Sequence, residues 1–180
     1  MTEHALFILA SESPRRPELL RRMRLTFDVR PARCDERLHQ GETPEAYTRR
    51  MALEKAEAVG AGAPDTWVLA ADTVVFSDGR ILGKPGDRDE ARLMLSALSG
   101  RVHEVVTSFC WYHGGRNIRY VRSIESRVEF KDLTEDEIER YVGSGEPMDK
   151  AGAYAVQGLG SFMVRAVHGS YTRPKLCKPG

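Results

Sequence analysis

Apolar positions along this chain keep two rhythms. Short runs that are continuous or alternate read as strands: residues 6–10, 26–30, 67–71 and 162–167. Residues 74–76 and 80–82 flank Ser77-Asp78-Gly79 and read as a hairpin. Residues 104–112 and 116–121 form two strands across Gly114-Gly115, and 123–130 alternates as a third strand of that sheet. Helical spacing fills the intervals. One helix starts at 17–23. A second covers 44–59, with Pro44 in its first turn and Gly60 or Gly62 as its stop. Residues 87–98 open on Asp87 with Glu90 three residues on, and 134–142 open on Thr134 with Glu137. Residues 33–43 are polar and irregular, and 143–160 are rich in glycine. Strands interspersed with helices and hairpins predict an α/β protein with a mixed sheet. Without a repeat or low-complexity linker, 1–180 reads as one domain.

Composition narrows the class. The chain has 41% hydrophobic and 29% charged residues and a formal charge of +1, which describes an ordinary globular protein. A protein that coats nucleic acid would carry a strong basic excess, so no nucleic-acid partner is expected. No apolar run reaches membrane-spanning length and the first residues lack a signal-peptide layout; no membrane partner is expected either. The three cysteines, Cys34, Cys110 and Cys177, are widely spaced with no C-x-x-C, a pattern suited to a reducing cytoplasm. The histidines show no zinc-ligand spacing. Carboxylates, lysines and arginines are left to carry any chemistry.

Their positions are suggestive. Ser11, Ser13, Arg15 and Arg16 lie between a buried strand and the start of a helix. Free backbone N–H groups, the positive end of a helix dipole and planar guanidinium donors there suit phosphate oxygens. The plainer alternative is that Ser13 caps the helix and the arginines are solvated. Asp72 follows an apolar run and precedes Thr73. At the carboxyl end of a buried strand it reads as a magnesium ligand or a base for water, or simply as an Asx-turn. Lys84, in Gly83-Lys84-Pro85, could ground a phosphate or be an exposed turn residue. Glu36, beside Asp35 in the polar loop, either completes a metal site or is solvated. Lys55 lies on the second helix, where most lysines face water. In the glycine-rich segment, Tyr154 is suited to stack on a planar ring and Gln157 to read its edges; the alternative is a functionless loop. No Walker motif and no dinucleotide fingerprint is present.

Six segments in order resemble the Maf family of nucleoside triphosphate pyrophosphatases, known also as septum-formation proteins. They are Ser11-Glu12-Ser13-Pro14-Arg15-Arg16, Glu54-Lys55-Ala56, Ala71-Asp72-Thr73-Val74-Val75, Gly83-Lys84-Pro85, Leu98-Ser99-Gly100 and the loop from Glu146 to Gly160. The resemblance implies an elongated α/β fold like that of inosine triphosphate pyrophosphatases, with a cleft between two lobes. It implies hydrolysis of a nucleoside triphosphate to the monophosphate and pyrophosphate with a divalent metal, magnesium or else manganese. By position, Arg15, Arg16, Lys55 and Lys84 bind phosphates, while Glu36 and Asp72 hold metal and activate water, with Asp72 the favoured base. Ser11 and Gln157 complete the site, and Ser13, Thr73 and Tyr154 count with the substrate-binding residues. The segment from Asp149 to Tyr154 followed by Gln157-Gly158 is similar to the branch acting on dTTP and UTP. A cytoplasmic enzyme is expected, with a homodimer among the assemblies left open. The alternative is a nucleotide-binding division regulator with little hydrolysis.

The same resemblance implies a further strand and a final helix after Tyr171. Residues 172–180 do not match that pattern, and this atypical tail puts the expected oligomeric state in question.

Overall fold

The computed structural model describes residues 5–169. In chain order the elements are β1 (Phe7–Ala10), α1 (Arg15–Arg22), β2 (Phe27–Val29), α2 (Pro44–Gly60), β3 (Val68–Ser77) and β4 (Arg80–Leu82). They continue with α3 (Arg88–Leu98), β5 (Val102–His113), β6 (Ile118–Phe130), α4 (Glu135–Gly143) and β7 (Val164–Gly169). The expected mixed α/β architecture is observed: one sheet in the order β2-β1-β3-β5-β6-β7, with β4 added to β3 and helices flanking it. The β1–β2 and β1–β3 pairs are parallel, whereas β3–β4 and β6–β7 are antiparallel. No helix among the described residues is long and apolar enough to cross a membrane. Cys34 and Cys110 are free thiols; Cys177 and the tail at 172–180 lie outside the described residues.

The described residues form two compact units. The first holds the residues up to Asp72 together with Thr107–Ser123. Its β1 is buried at every position because a parallel neighbour lies on each side. Ala52 and Ala56 of α2, both fully buried, share a core with Ile8, Val68, Ala70 and Cys110. Methyl-sized side chains on that helix face let it lie close to the strands. Thr43 caps α2 by accepting from the Ala46 amide at 3.1 Å.

The second unit holds Thr73–Val106 and the residues from Ile124 onward. Here α3 and α4 bury Leu95, Leu98, Ile138 and Val142 beside Phe130. Asp87 caps α3 through the Glu90 amide, and Thr134 with Glu137 makes the full capping box of α4. Each such cap is worth about 1 kcal/mol, so both helices start where the sequence predicts.

Three expectations change. The strand expected to end at residue 71 runs on to Ser77, so Asp72 lies within β3 rather than at its end. The strands expected at 116–121 and 123–130 are one, β6: no glycine, proline, asparagine or aspartate stands between Ile118 and Phe130 to break the ladder. The glycine-rich segment carries three short 3-10 turns, Glu146–Asp149, Ala151–Ala153 and Leu159–Met163. Within it Gly152 (φ +65°) is fixed by space as well as by its backbone angle. A Cβ there would lie 2.7 Å from a Val75 methyl.

Candidate active site

Parallel pairing of β1 with β3 ends at Ala10 opposite Ala70. Beyond that point β3 continues to Asp72, while the other chain leaves its strand at Ser11. The end of the parallel pairing thus frees side chains where β3 itself does not stop. Ser11 is 4% exposed, and its hydroxyl accepts from the Ser13 amide at 3.1 Å and from Arg16 Nη1 at 3.3 Å. The same Nη1 donates to the Ala71 carbonyl at 2.7 Å. Arg16, one residue into α1, is therefore anchored beside Asp72. Burial pulls its guanidinium down from the ordinary value, while Asp72 pulls the other way.

Lys55 is the centre of the cluster. It lies on the buried face of α2, where β3 brings Asp72 against it. Its Nζ is 2.7 Å from Asp72 Oδ1 and 2.6 Å from Glu36 Oε1. Lys55 and Asp72 are each 8% exposed, so neither charge would be stable without a partner. Burial alone would lower the ammonium, but Asp72 and Glu36 together outweigh it and hold Lys55 above its ordinary value. Burial pushes the Asp72 carboxyl up, against Lys55 and Arg16. A carboxylate moved toward neutrality is a better proton acceptor than an exposed one.

Asp72 and Glu36 supply two hard oxygen donors facing one cationic position, now held by the ammonium. Among the described residues no three His, Cys, Asp or Glu side chains gather as a ligand set. A divalent ion here would use these two carboxylates and complete its shell with water and phosphate oxygens, which is how Mg2+ is commonly held. The donor set fits that group.

Not every candidate joins this cluster. Arg15 is exposed at the first position of α1, whose N-cap position is Pro14, with no side-chain cap bond, rather than Ser13. Lys84, Thr73, Gln157 and Tyr154 belong to the second unit. Lys84 and Gln157 are exposed, and the Gly152 amide donates to the Gly83 carbonyl at 2.9 Å, tying the lysine turn to the glycine-rich segment. Tyr154 departs from expectation. It is 5% exposed, its hydroxyl is 2.6 Å from His103 Nε2, and its ring meets Phe130 and His103 edge-on. The surroundings make it a core residue and leave no place for the ring-stacking role.

Two residues of the site were not read from the sequence. Tyr47 counted only as an apolar position of α2, yet its hydroxyl donates to the Glu36 carbonyl at 2.9 Å. Arg50 reaches the next carbonyl, that of Arg37, at 3.0 Å. Residue spacing alone carries no signal for a side chain that binds main chain in a loop.

The chain is similar to known proteins over most of its length. The family model described as "Maf-like protein" matches residues 6–173. A dTTP/UTP pyrophosphatase of Syntrophus aciditrophicus is 51% identical over 165 residues, 92% of this chain and 80% of that protein. Those of Desulfotalea psychrophila and Myxococcus xanthus are 47% and 48% identical, over 92% and 93% of this chain and 85% and 84% of theirs. Among solved structures, a HAM1 protein from Coxiella burnetii aligns over 69% of this chain and 72% of its own, with TM-score 0.45 and 19% identity. The six segments that suggested a family thus fall inside a match over nearly the whole chain, and the chain belongs to the Maf family.

Proposed function

We propose that this protein is a nucleoside triphosphate pyrophosphatase that hydrolyses dTTP and UTP to the monophosphate and pyrophosphate. The observation that carries the reading is the convergence of Asp72 and Glu36 on Lys55, with Arg16 anchored alongside. Hydrolysis at the α-phosphorus needs an oriented water and neutralised charge on the leaving pyrophosphate. Asp72, the most buried carboxylate of the cluster, accepts the proton of that water. Lys55 and Arg16 bring positive charge to the phosphate oxygens, Arg16 with the planar fork that matches them. Ser11 and Ser13 offer hydroxyls beside it. Arg15 meets the outer phosphates; within the second unit Lys84 is suited to a phosphate, and Thr73 and Gln157 to the nucleotide, Gln157 through the donor and acceptor edges of the base.

Asp72 and Glu36 would hold magnesium, or manganese in its place, and the ion would supply charge neutralisation at the phosphates and a lowered pKa for water. Residues 1–180 act as one catalytic domain, in the cytoplasm, on free nucleotides. The relatives at about half identity support the choice of dTTP and UTP.

The test is pyrophosphate release from a panel of nucleoside triphosphates with Mg2+ present. Turnover of dTTP and UTP above the others is expected. Preference for another base would move the specificity, and silence across the panel from folded protein would overturn the enzyme reading in favour of a nucleotide-binding regulator.

A further inference from the structure

Glu36 is the most exposed of the three side chains that meet at Lys55. It stands in a stretch with no strand or helix between β2 and α2, and its side chain is 45% exposed. A long side chain on an irregular loop loses considerable rotamer freedom when it is held to one geometry. Its salt bridge to Lys55, being half exposed, is a weak anchor alone. Something else must fix the loop if the carboxylate is to stay on the same ammonium as Asp72.

Helix α2 does this through the main chain. Tyr47 donates its hydroxyl to the carbonyl of residue 36, and Arg50 Nη2 donates to the carbonyl of residue 37. The helix that offers Lys55 to the carboxylate therefore also grips the backbone that carries it. Arg50 is itself immobilised. Its Nε and Nη2 form a fork on Glu42 at 2.7 and 2.8 Å, Nη1 reaches Glu54 at 3.3 Å, and its guanidinium lies 5.4 Å from the Tyr47 ring centre. Glu42 also accepts from the His39 amide at 3.1 Å, while its own amide donates to the His39 carbonyl. The far side of the loop is thereby fastened to the same arginine. Pairing with Arg50 pulls the Glu42 carboxyl down to about 2, so the fork stays charged under all working conditions. A lysine would not reproduce this arrangement, since its single nitrogen cannot stand in for the three that span Glu42, Glu54 and the carbonyl of residue 37.

We propose that Arg50 and Tyr47 are positioning residues for Glu36, fixing two successive carbonyls so that its carboxylate is presented with Asp72 to a divalent cation. The proposal rests on the functional reading above. Its test measures Mn2+ binding to the full chain by electron paramagnetic resonance, with the α,β-methylene analogue of dTTP present. Alongside it runs dTTP turnover as a function of Mg2+. Partners that orient a metal ligand typically cost about 10–100-fold in metal affinity when removed, and Arg50→Ala and Arg50→Lys are expected to weaken Mn2+ by amounts in that range. Turnover in both should shift to higher Mg2+ and largely recover kcat at saturation. Tyr47→Phe, which removes one oxygen and keeps the packing, should show the same shift on a smaller scale. Arg92→Ala breaks a comparable fork, on Glu139 at 2.6 and 3.0 Å, and should leave Mn2+ affinity unchanged.

Unchanged Mn2+ affinity in folded Arg50→Lys and Tyr47→Phe would overturn the proposal, as would wild-type protein that binds no Mn2+. The two readings separate cleanly. Wild type that turns over dTTP with variants that bind Mn2+ normally sinks the positioning role alone. Wild type that binds Mn2+ with shifted variants but never hydrolyses dTTP sinks the enzyme reading alone.

Discussion

Two buried polar clusters, one in each compact unit, solve the same problem in opposite ways. In the first unit one ammonium, that of Lys55, is ion-paired with both Asp72 and Glu36. In the second, His103 and Tyr154 share one hydrogen bond among aromatic rings. Burial holds the histidine down to about 4 and pushes the phenol above its ordinary value, so both stay neutral. Among the described residues His103 Nδ1 has no hydrogen-bond partner, a cost a core can carry once but an ion could not. The difference separates reactivity from structure. A buried charge kept ionised by neighbours can exchange partners with an incoming phosphate or cation, whereas a neutral pair sealed by rings can only hold the core together.

The largest effects should come from breaking the charged cluster. Asp72→Asn keeps the shape and removes the proton acceptor; turnover of dTTP should fall roughly 10^3-fold, the usual scale for a positioned base. Its thermal melt should remain cooperative, and wild-type turnover in that variant would remove Asp72 from the mechanism. The neutral cluster should answer in stability instead. Unfolded chains protonate His103 near its ordinary 6.5, whereas the folded chain resists until about 4. Between those values the unfolded state binds more protons, so stability falls as pH drops from 6.5 toward 4 and is level below. The integrated loss is about 3 kcal/mol. Urea titrations of His103→Gln across that window should show a flatter profile than wild type. Smallest is Tyr154→Phe. It should cost about 1–2 kcal/mol, mostly by stranding His103, with kcat/KM for dTTP unchanged at neutral pH. A selective rise in KM would return Tyr154 to the binding site.

How much of this the sequence displayed depends on what each residue does. Asp72 was legible because a charge directly after an apolar run stands out, although its strand continues past it and only the neighbouring β1 stops. Asp87 and Thr134 marked two helix starts and Pro44 a third, since the chemistry of a helix's first turn is local, whereas the Thr43 cap emerged only with the structure. Lys55 resembled any helical lysine until family resemblance singled it out, because its importance lies in a contact seventeen residues away. Tyr154 misled because glycine-rich composition announces a loop without telling whether its one aromatic ring turns inward. Tyr47 and Arg50 were silent for a different reason: they act on carbonyl oxygens, which every residue possesses. Long-range pairing and main-chain recognition are the two things local spacing cannot encode.

The most direct test of the account is to run dTTP hydrolysis by the wild-type protein in 18O-labelled water and locate the label by mass spectrometry. Water delivered by Asp72 to the α-phosphorus puts 18O in the monophosphate and leaves the pyrophosphate unlabelled. Label in the pyrophosphate would mean attack at the β-phosphorus and would contradict the chemistry assigned to this site.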